Sequence, residues 1–344
     1  MSPTEKPALQ SLQEKVSEAG YSVLELTMDS FRLLFKGDRI LTRVRGSILP
    51  SIAAPVVLFA VYSSFFAAIR TKTYLVLLGI LPSLGGSVIS LMSMAIGLLV
   101  SFRTSTAYDR WWACRGLWAT ISSTSRTMML NLWLNFRDTN TSADEDKITV
   151  MKLIVAYSLA LKNHCRRKPG LNHADLAEYL PPSFVESFNG NTPRIAPLEV
   201  IKLLHQYVIM FERTEKVDPR TAGSLLAEIN TFTNELSNAE RILTPWPLAY
   251  SIHLKQIITL YCLALPPQLA SALGWWVVPV TCAAVFTFFG MEAIALEISD
   301  PFGYDLNDLP IEKYCTDLKT EMRDMMATTY GPNMQRTNRQ QMQL

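Results

Sequence analysis

Three stretches of this chain run without a single charged residue: Gly46–Ile69, about 24 residues, Thr73–Phe102, about 30, and Gln256–Met291, about 36. A helix needs about 20 predominantly apolar residues to cross the hydrocarbon core of a bilayer, so each stretch is a candidate span. Only Arg70, Thr71 and Lys72 separate the first two, which therefore read as a helical hairpin. Pro82, Gly85 and Gly86 lie inside the second and predict a break or widening there. As one helix the third stretch would be about 54 Å long. Pro266-Pro267 and Gly274 are expected to divide it into two spans, His253–Ala270 and Trp275–Ile298, with the Trp275-Trp276 pair in an interfacial belt. The expectation is an all-α integral membrane protein with four transmembrane helices per subunit.

The rest of the chain is water-facing in character. Charged residues make up 18% of the 344, below the roughly 25% of soluble domains, so spans and a large aqueous part share the chain. The expected organisation is a cytosolic N-terminal segment (1–45), spans one and two (46–111), a helical cytosolic domain (112–251), spans three and four (252–298), an acidic turn with a cytosolic C-terminal helix (299–325) and a disordered tail (326–344). Within the cytosolic domain, helical periodicity marks Ala113–Phe136, Lys147–His164, Leu198–Glu212 and Pro219–Leu236. The stretches 138–144 and 181–197 read as loops. Basic residues gather before span one (Arg32, Lys36, Arg39, Arg43, Arg45) and after span two (Arg103, Arg110, Arg115), which places both termini in the cytosol. The protein is thus expected to be multi-pass, in the plasma membrane or an internal one. The first long apolar run begins only at Gly46, which argues against a signal peptide.

Several function classes fit poorly. A net charge of +2 gives no reason to expect nucleic acid. No phosphate-binding loop, zinc spacing or nucleophile elbow is present. Cys114, Cys165, Cys262, Cys282 and Cys315 are scattered and read as free thiols. His164, His173, His205 and His253 are irregularly spaced, and no carboxylate array lies in the spans, so a membrane enzyme is disfavoured. His164 sits in KNHCRRK, read as a solvated basic turn. Neither an inverted repeat nor an intramembrane charge pair supports a secondary transporter.

The second span changes character along one side. Steps of three or four residues give Ser83, Ser87, Ser90, Met94, Leu98, Phe102 and Thr106: small hydroxyls, three large apolar side chains, then a hydroxyl. One reading is packing, with the apolar residues filling a core. The other is a pore wall with a hydrophobic constriction, which gates by dewetting and requires a ring of subunits, since one helix encloses nothing. The segment RTSTAYDRWW at 103–112 then carries the helix out of the bilayer.

At this point the chain resembles the bestrophin family, in particular its fungal and bacterial branch. The resemblance is carried by RGSILP at 45–50, SFRTSTAYDRWWACRGLW at 101–118, DPRTAGSLLAEINTF at 218–232, TPWPLAYSIHLKQIITLYCLALP at 244–266 and DPFGYDLNDLP at 300–310. It covers roughly 31–318. It implies a homopentamer of four-span subunits around one pore, conducting chloride and other monovalent anions passively, with no catalysis. A cation-permeable relative is the alternative. The family's neck of three apolar residues falls on Met94, Leu98 and Phe102, the apolar block found above. The cytosolic aperture, which follows an Asp-Pro pair in the family, falls on Arg220 after Asp218-Pro219, a charged residue where the family is often aliphatic. Asp218 also reads as a helix N-cap and Pro219 as a first helical residue. No cofactor is expected from the residues themselves. The resemblance adds calcium as a candidate regulatory ion, with Glu297, Asp300, Asp305 and Asp308 as ligands; Tyr304, Leu306 and Asn307 interrupt the acidic run.

Overall fold

The computed structural model describes residues 46–70, 86–137, 141–168, 170–188, 195–245 and 247–327. Ser83, Pro82 and the expected disordered tail beyond residue 327 lie outside them. Among the described residues there is no β-strand. The helices are α1 (Leu49–Arg70), α2 (Gly86–Asn135), α3 (Thr141–Cys165), α4 (Pro182–Phe188), α5 (Ala196–Arg213), α6 (Pro219–Leu243), α7 (Leu248–Leu273), α8 (Val277–Glu297) and α9 (Ile311–Ala327). The chain divides into two compact units. One takes the residues up to Trp111 with Pro245–Pro301 and Asp305–Asn307; the other takes Trp112–Thr244, Phe302–Tyr304 and the residues from Asp308 onward.

In the first unit α1, α7 and α8 pack on one another in all three pairs. Phe59 of α1, Leu254, Ile258 and Cys262 of α7, Val285 of α8, and Ile96 and Val100 from the start of α2 form a shared buried cluster. Gly290 lets the chain before α1 approach α8, because a Cβ there would meet Ile48 Cδ1 at 3.3 Å. Large apolar side chains also point away from this core: Val57, Leu58, Val61 and Phe65 on α1 and Leu260 on α7 are all exposed. An apolar surface of that extent is not maintained against water. Three helical stretches, Leu49–Ile69, Gly86–Asn135 and Leu248–Glu297, are long and apolar enough to cross a membrane.

The third of these is divided at Gly274, one of the two places the sequence suggested, and not at the proline pair. Pro266 and Pro267 lie inside α7, which continues to Leu273. A proline removes one intrahelical donor and frees the carbonyl four residues back. For Pro267 that carbonyl is Leu263 O, and the Tyr62 hydroxyl of α1 donates to it at 3.2 Å. A neighbouring helix thus supplies the missing bond, as apolar surroundings demand. The break falls at Gly274, which adopts φ 58 and ψ −130, a conformation closed to residues with a side chain. A single 3₁₀ turn, Gly274–Trp276, reverses the chain into α8 and leaves Trp275 and Trp276 exposed.

The second unit is built round α3. Between Val150 and Leu161 almost every α3 residue is buried, the mark of a helix covered on all sides. α5, α6 and α9 pack on it. Tyr157 stacks on Phe232 at 4.1 Å between ring centroids, and its hydroxyl donates to Phe232 O at 2.7 Å. Burial and nearby Glu235 hold that phenol well above its usual pKa. From Cys114 to Leu132 α2 buries an apolar stripe every three or four residues, and Arg126 makes a bidentate pair with Glu321 of α9 at 2.7 Å. Two loop readings are corrected. α3 begins at Thr141, inside the expected 138–144 loop, where acidic residues suit the positive end of a helix dipole. A short helix, Pro182–Phe188, interrupts the expected 181–197 loop, opening on a proline, which is favoured at a first helical position.

The Tyr62–Leu263 bond gives a direct test. Tyr62→Phe should lower stability by about 0.5–1.5 kcal/mol, the usual net worth of one hydrogen bond, read as a lower thermal midpoint of the detergent-solubilised protein. The same substitution should cost nothing measurable when Pro267 is replaced by Ala, because the helix then satisfies Leu263 O itself.

Candidate functional site

α2 is one uninterrupted helix of 50 residues, about 75 Å at 1.5 Å per residue, more than twice a hydrocarbon core of about 30 Å. The helix expected over Ala113–Phe136 is therefore a continuation of the second span. Along α2, Ser87, Ser90, Met94, Leu98, Phe102 and Thr106 are all exposed. The three apolar residues are 75%, 55% and 59% exposed. At about 100° per residue, Ile96, Val100, Arg103 and Ala107 fall on the opposite side, and all four are buried. Core packing within the chain thus accounts for the far side and not for the row. The hydroxyls of Ser90 and Thr106 bond back to the carbonyls of Gly86 and Phe102, so the helix satisfies their donors without a partner. Arg103, only 3% exposed, was read from the sequence merely as an orientation signal.

Arg220 stands at the second position of α6 and is exposed. Its helix opens as expected: Asp218 accepts from Thr221 N at 3.2 Å and from Thr221 Oγ1 at 2.7 Å, and Pro219 follows as the first helical residue. These bonds hold the Asp218 carboxyl below the usual range. A cation beside the positive end of the dipole is mildly unfavourable, by roughly 0.3–1 kcal/mol, so helix stability does not explain its presence.

Of the acidic residues after α8, Glu297 closes the helix and Asp300 and Asp305 are exposed. Glu297 and Asp305 line one cavity of about 370 Å³ with Ser47 and Ser51. Glu297 Oε1 already accepts from Asn307 Nδ2, which also donates to Gly46 O at 3.2 Å, while Asn307 O accepts from Trp111 Nε1 at 3.2 Å. Asn307, seen in the sequence only as a gap in the acidic run, is thus the residue that ties three segments of this unit together. Calcium takes roughly six to eight oxygen ligands. Among the described residues no group of three His, Cys, Asp or Glu side chains is placed to hold a metal ion. Asp308 belongs to the second unit and is half-buried before α9.

The Pro-Phe-Gly-Tyr part of the same turn is held differently. Arg166, 5% exposed at its side chain, donates from Nε to Phe302 O at 3.1 Å and from Nη2 to Gly303 O at 3.2 Å. It also pairs with both oxygens of Glu312 and stacks on Tyr304, 4.0 Å from the ring centroid. The basic segment KNHCRRK is therefore not simply solvated. His164 Nε2 also stands 3.5 Å from Glu240 Oε1. The basic groups round Tyr304, Lys168 first, hold its phenol below the usual pKa.

Comparison with known proteins agrees over most of the length. The family model described as Bacterial/Fungal Bestrophin protein matches residues 33–324. A voltage-dependent anion channel-forming protein of Nostoc sp. is 36% identical over 298 residues, 86% of this chain and 93% of its own. One of the same description from Synechocystis sp. is 34% identical over 83% of this chain and 91% of its own. The crystal structure of a bacterial bestrophin homolog from Klebsiella pneumoniae superposes with a TM-score of 0.70 at 27% identity, covering 82% of this chain and 100% of that one.

The Arg166 cluster predicts a graded series. Arg166→Met should cost about 2–4 kcal/mol, since hydrogen bonds from a charged donor are worth roughly 1.5–3 kcal/mol each and the share owed to exposed Glu312 is small. Arg166→Lys should recover only part, because an ammonium cannot reach two carbonyls and a carboxylate as a planar fork does. Glu312→Gln should cost under about 1 kcal/mol. Thermal unfolding of the three variants checks the order.

Proposed function

The chain belongs to the bacterial and fungal bestrophin family, and on that premise we propose that it is a passive anion channel, conducting chloride and other monovalent anions through a pore lined by α2 of five identical subunits. Each subunit contributes four spans: α1, the first part of α2, α7 and α8. The termini and the second unit lie in the cytosol. Met94, Leu98 and Phe102 form the neck, with Ser87, Ser90 and Thr106 on the wall either side of it.

One observation carries this reading. Three large apolar residues, one turn apart, stand outside the core of their own chain on a helix whose other side is buried. In water such a row is unfavourable by roughly 25 cal/mol per Å² left exposed. Around a closed axis, copies of the row converge instead. An apolar ring one side chain wide offers a permeating ion no hydrogen bond and no counter-charge, so its barrier is set by wetting rather than by binding. That chemistry needs no cofactor, nucleophile or acid–base pair, in keeping with a family of channels rather than enzymes. The names of the relatives from Nostoc and Synechocystis support anions as the conducted species.

Three measurements test the proposal. Native mass determination in detergent should give five copies; a monomer or dimer would sink the ring. Replacing Met94, Leu98 and Phe102 together by Ala should widen and wet the neck, raising current at least several-fold in planar bilayers with little change in reversal potential. Ile96→Ala and Val100→Ala, on the buried side, should lower stability by about 1–3 kcal/mol without that gain in current. An unchanged current in the triple variant would make the row a packing surface between subunits.

A further inference from the structure

Glu228 is a carboxylic acid placed where an acid serves no structural purpose. It lies on the flank of α6 turned to α2 within the second unit. Asn131 Nδ2 of α2 donates to Glu228 Oε1 at 3.0 Å and stands 3.4 Å from Ser224 Oγ, one turn back on α6. The other oxygen, Oε2, is shut off from solvent and has no hydrogen-bond partner. Among the described residues no cation is paired with it. On α2, Arg126 is engaged by Glu321 of α9. From α3, Asp146 is engaged by Lys216, and His164 by Glu240 of α6. On α5, Lys202 stands beside Glu199. Arg220 and Glu235 of α6 are about two turns away in opposite directions.

Burial is consequently the leading influence on this group. It pushes the carboxyl up to about 7, against the bonds from Asn131 and Ser224 that favour the charged form. A glutamine of the same shape would serve Asn131 equally well, so what the acid adds is the capacity to gain and lose a proton. Protonated, the group is neutral and fits its half-buried seat. Ionised, the carboxylate has only Asn131 and Ser224 to set against the loss of water, and the contact opens to admit more.

We propose that Glu228 is a proton-binding site that fastens α6 to α2 when protonated and loosens that contact when ionised, so that conduction responds to pH. The second half rests on the channel reading above: Asn131 and the proposed neck residues are carried by the same unbroken helix, so a change in what braces α2 reaches the pore wall. The thermodynamic sign is fixed. The folded-state pKa lies above the ordinary 4.5, so the native state binds more proton than the unfolded one between about 4.5 and about 7, and the protein loses stability as pH rises through that window.

The full-length protein is measured in two ways across about pH 5 to about pH 8. In thermal unfolding, Glu228→Gln should lie nearest the parent at the acid end and become the more stable of the two as pH rises, the curves separating across the window from about 4.5 to about 7, with a midpoint at about 6, and running level above it. Asn131→Ala removes a donor to the ionised form and should move the parent's midpoint to higher pH; it keeps the site testable if the glutamine variant folds poorly. Parallel stability curves for parent and Glu228→Gln, or an unmoved midpoint in Asn131→Ala, would overturn the proton site. In chloride-loaded liposomes, parental efflux should change by about twofold or more over the same range, while Glu228→Gln stays at the acid-side rate. Efflux from the parent that ignores pH would overturn the coupling. Efflux absent from every variant at every pH would refute the channel reading and the coupling with it, while the unfolding curves still decide the proton site.

Discussion

Inside a bilayer a backbone amide or carbonyl has no water to turn to, and leaving one unpaired costs several kcal/mol. The first unit is organised by that constraint. Its described elements are helices, two of them joined by a turn of three residues, and the carbonyl that Pro267 leaves free is taken up by a hydroxyl from another helix. Where the chain must reverse, it does so at a glycine, the residue that can take the required backbone angles. The same rule permits α2 to stay helical through residue 135, because a helix carries its own hydrogen bonds from lipid into water without change.

The two units solve opposite problems. In the first, apolar side chains cover the outside as well as the core, and packing among α1, α7 and α8 draws on aromatic and small residues that let backbones approach. In the second, burial converges on α3, where Tyr157 and Lys162 each find a hydrogen-bond partner. α2 serves both, presenting a row of exposed residues in one and an amphipathic stripe in the other. The turn after α8 is likewise shared out. Asn307 is fixed within the first unit by Trp111, Gly46 and Glu297, while Phe302 and Gly303 are fixed within the second by Arg166. Short polar residues and one arginine thus hold a segment whose acidic residues are the more conspicuous feature of its sequence.

The candidate spans, the helices of the second unit and the row on α2 were legible in the sequence because each rests on a property that accumulates along the chain. Twenty or more residues without charge identify a span whatever their neighbours, and a period of three to four identifies a helix face. The N-cap at Asp218 was legible for a related reason, being a contact between residues three apart. What was misread depended on partners far away in sequence. The proline pair looked like a break because the bond that replaces the one Pro267 removes comes from Tyr62, about 200 residues earlier. Arg166 looked solvated because the carbonyls it serves lie more than 130 residues on.

Sequence alone therefore determined which segments are long and apolar enough to cross a bilayer and which side of α2 carries the row, since hydrophobicity and helical period are local sums. Tertiary structure decided which side of that helix is covered, which prolines are tolerated, and which carboxyl is deprived of water. Those outcomes turn on desolvation and on single hydrogen bonds between distant segments. Glu228 shows the difference plainly: its type is ordinary in a helix, and only the closing of α6 against Asn131 makes its proton hard to lose.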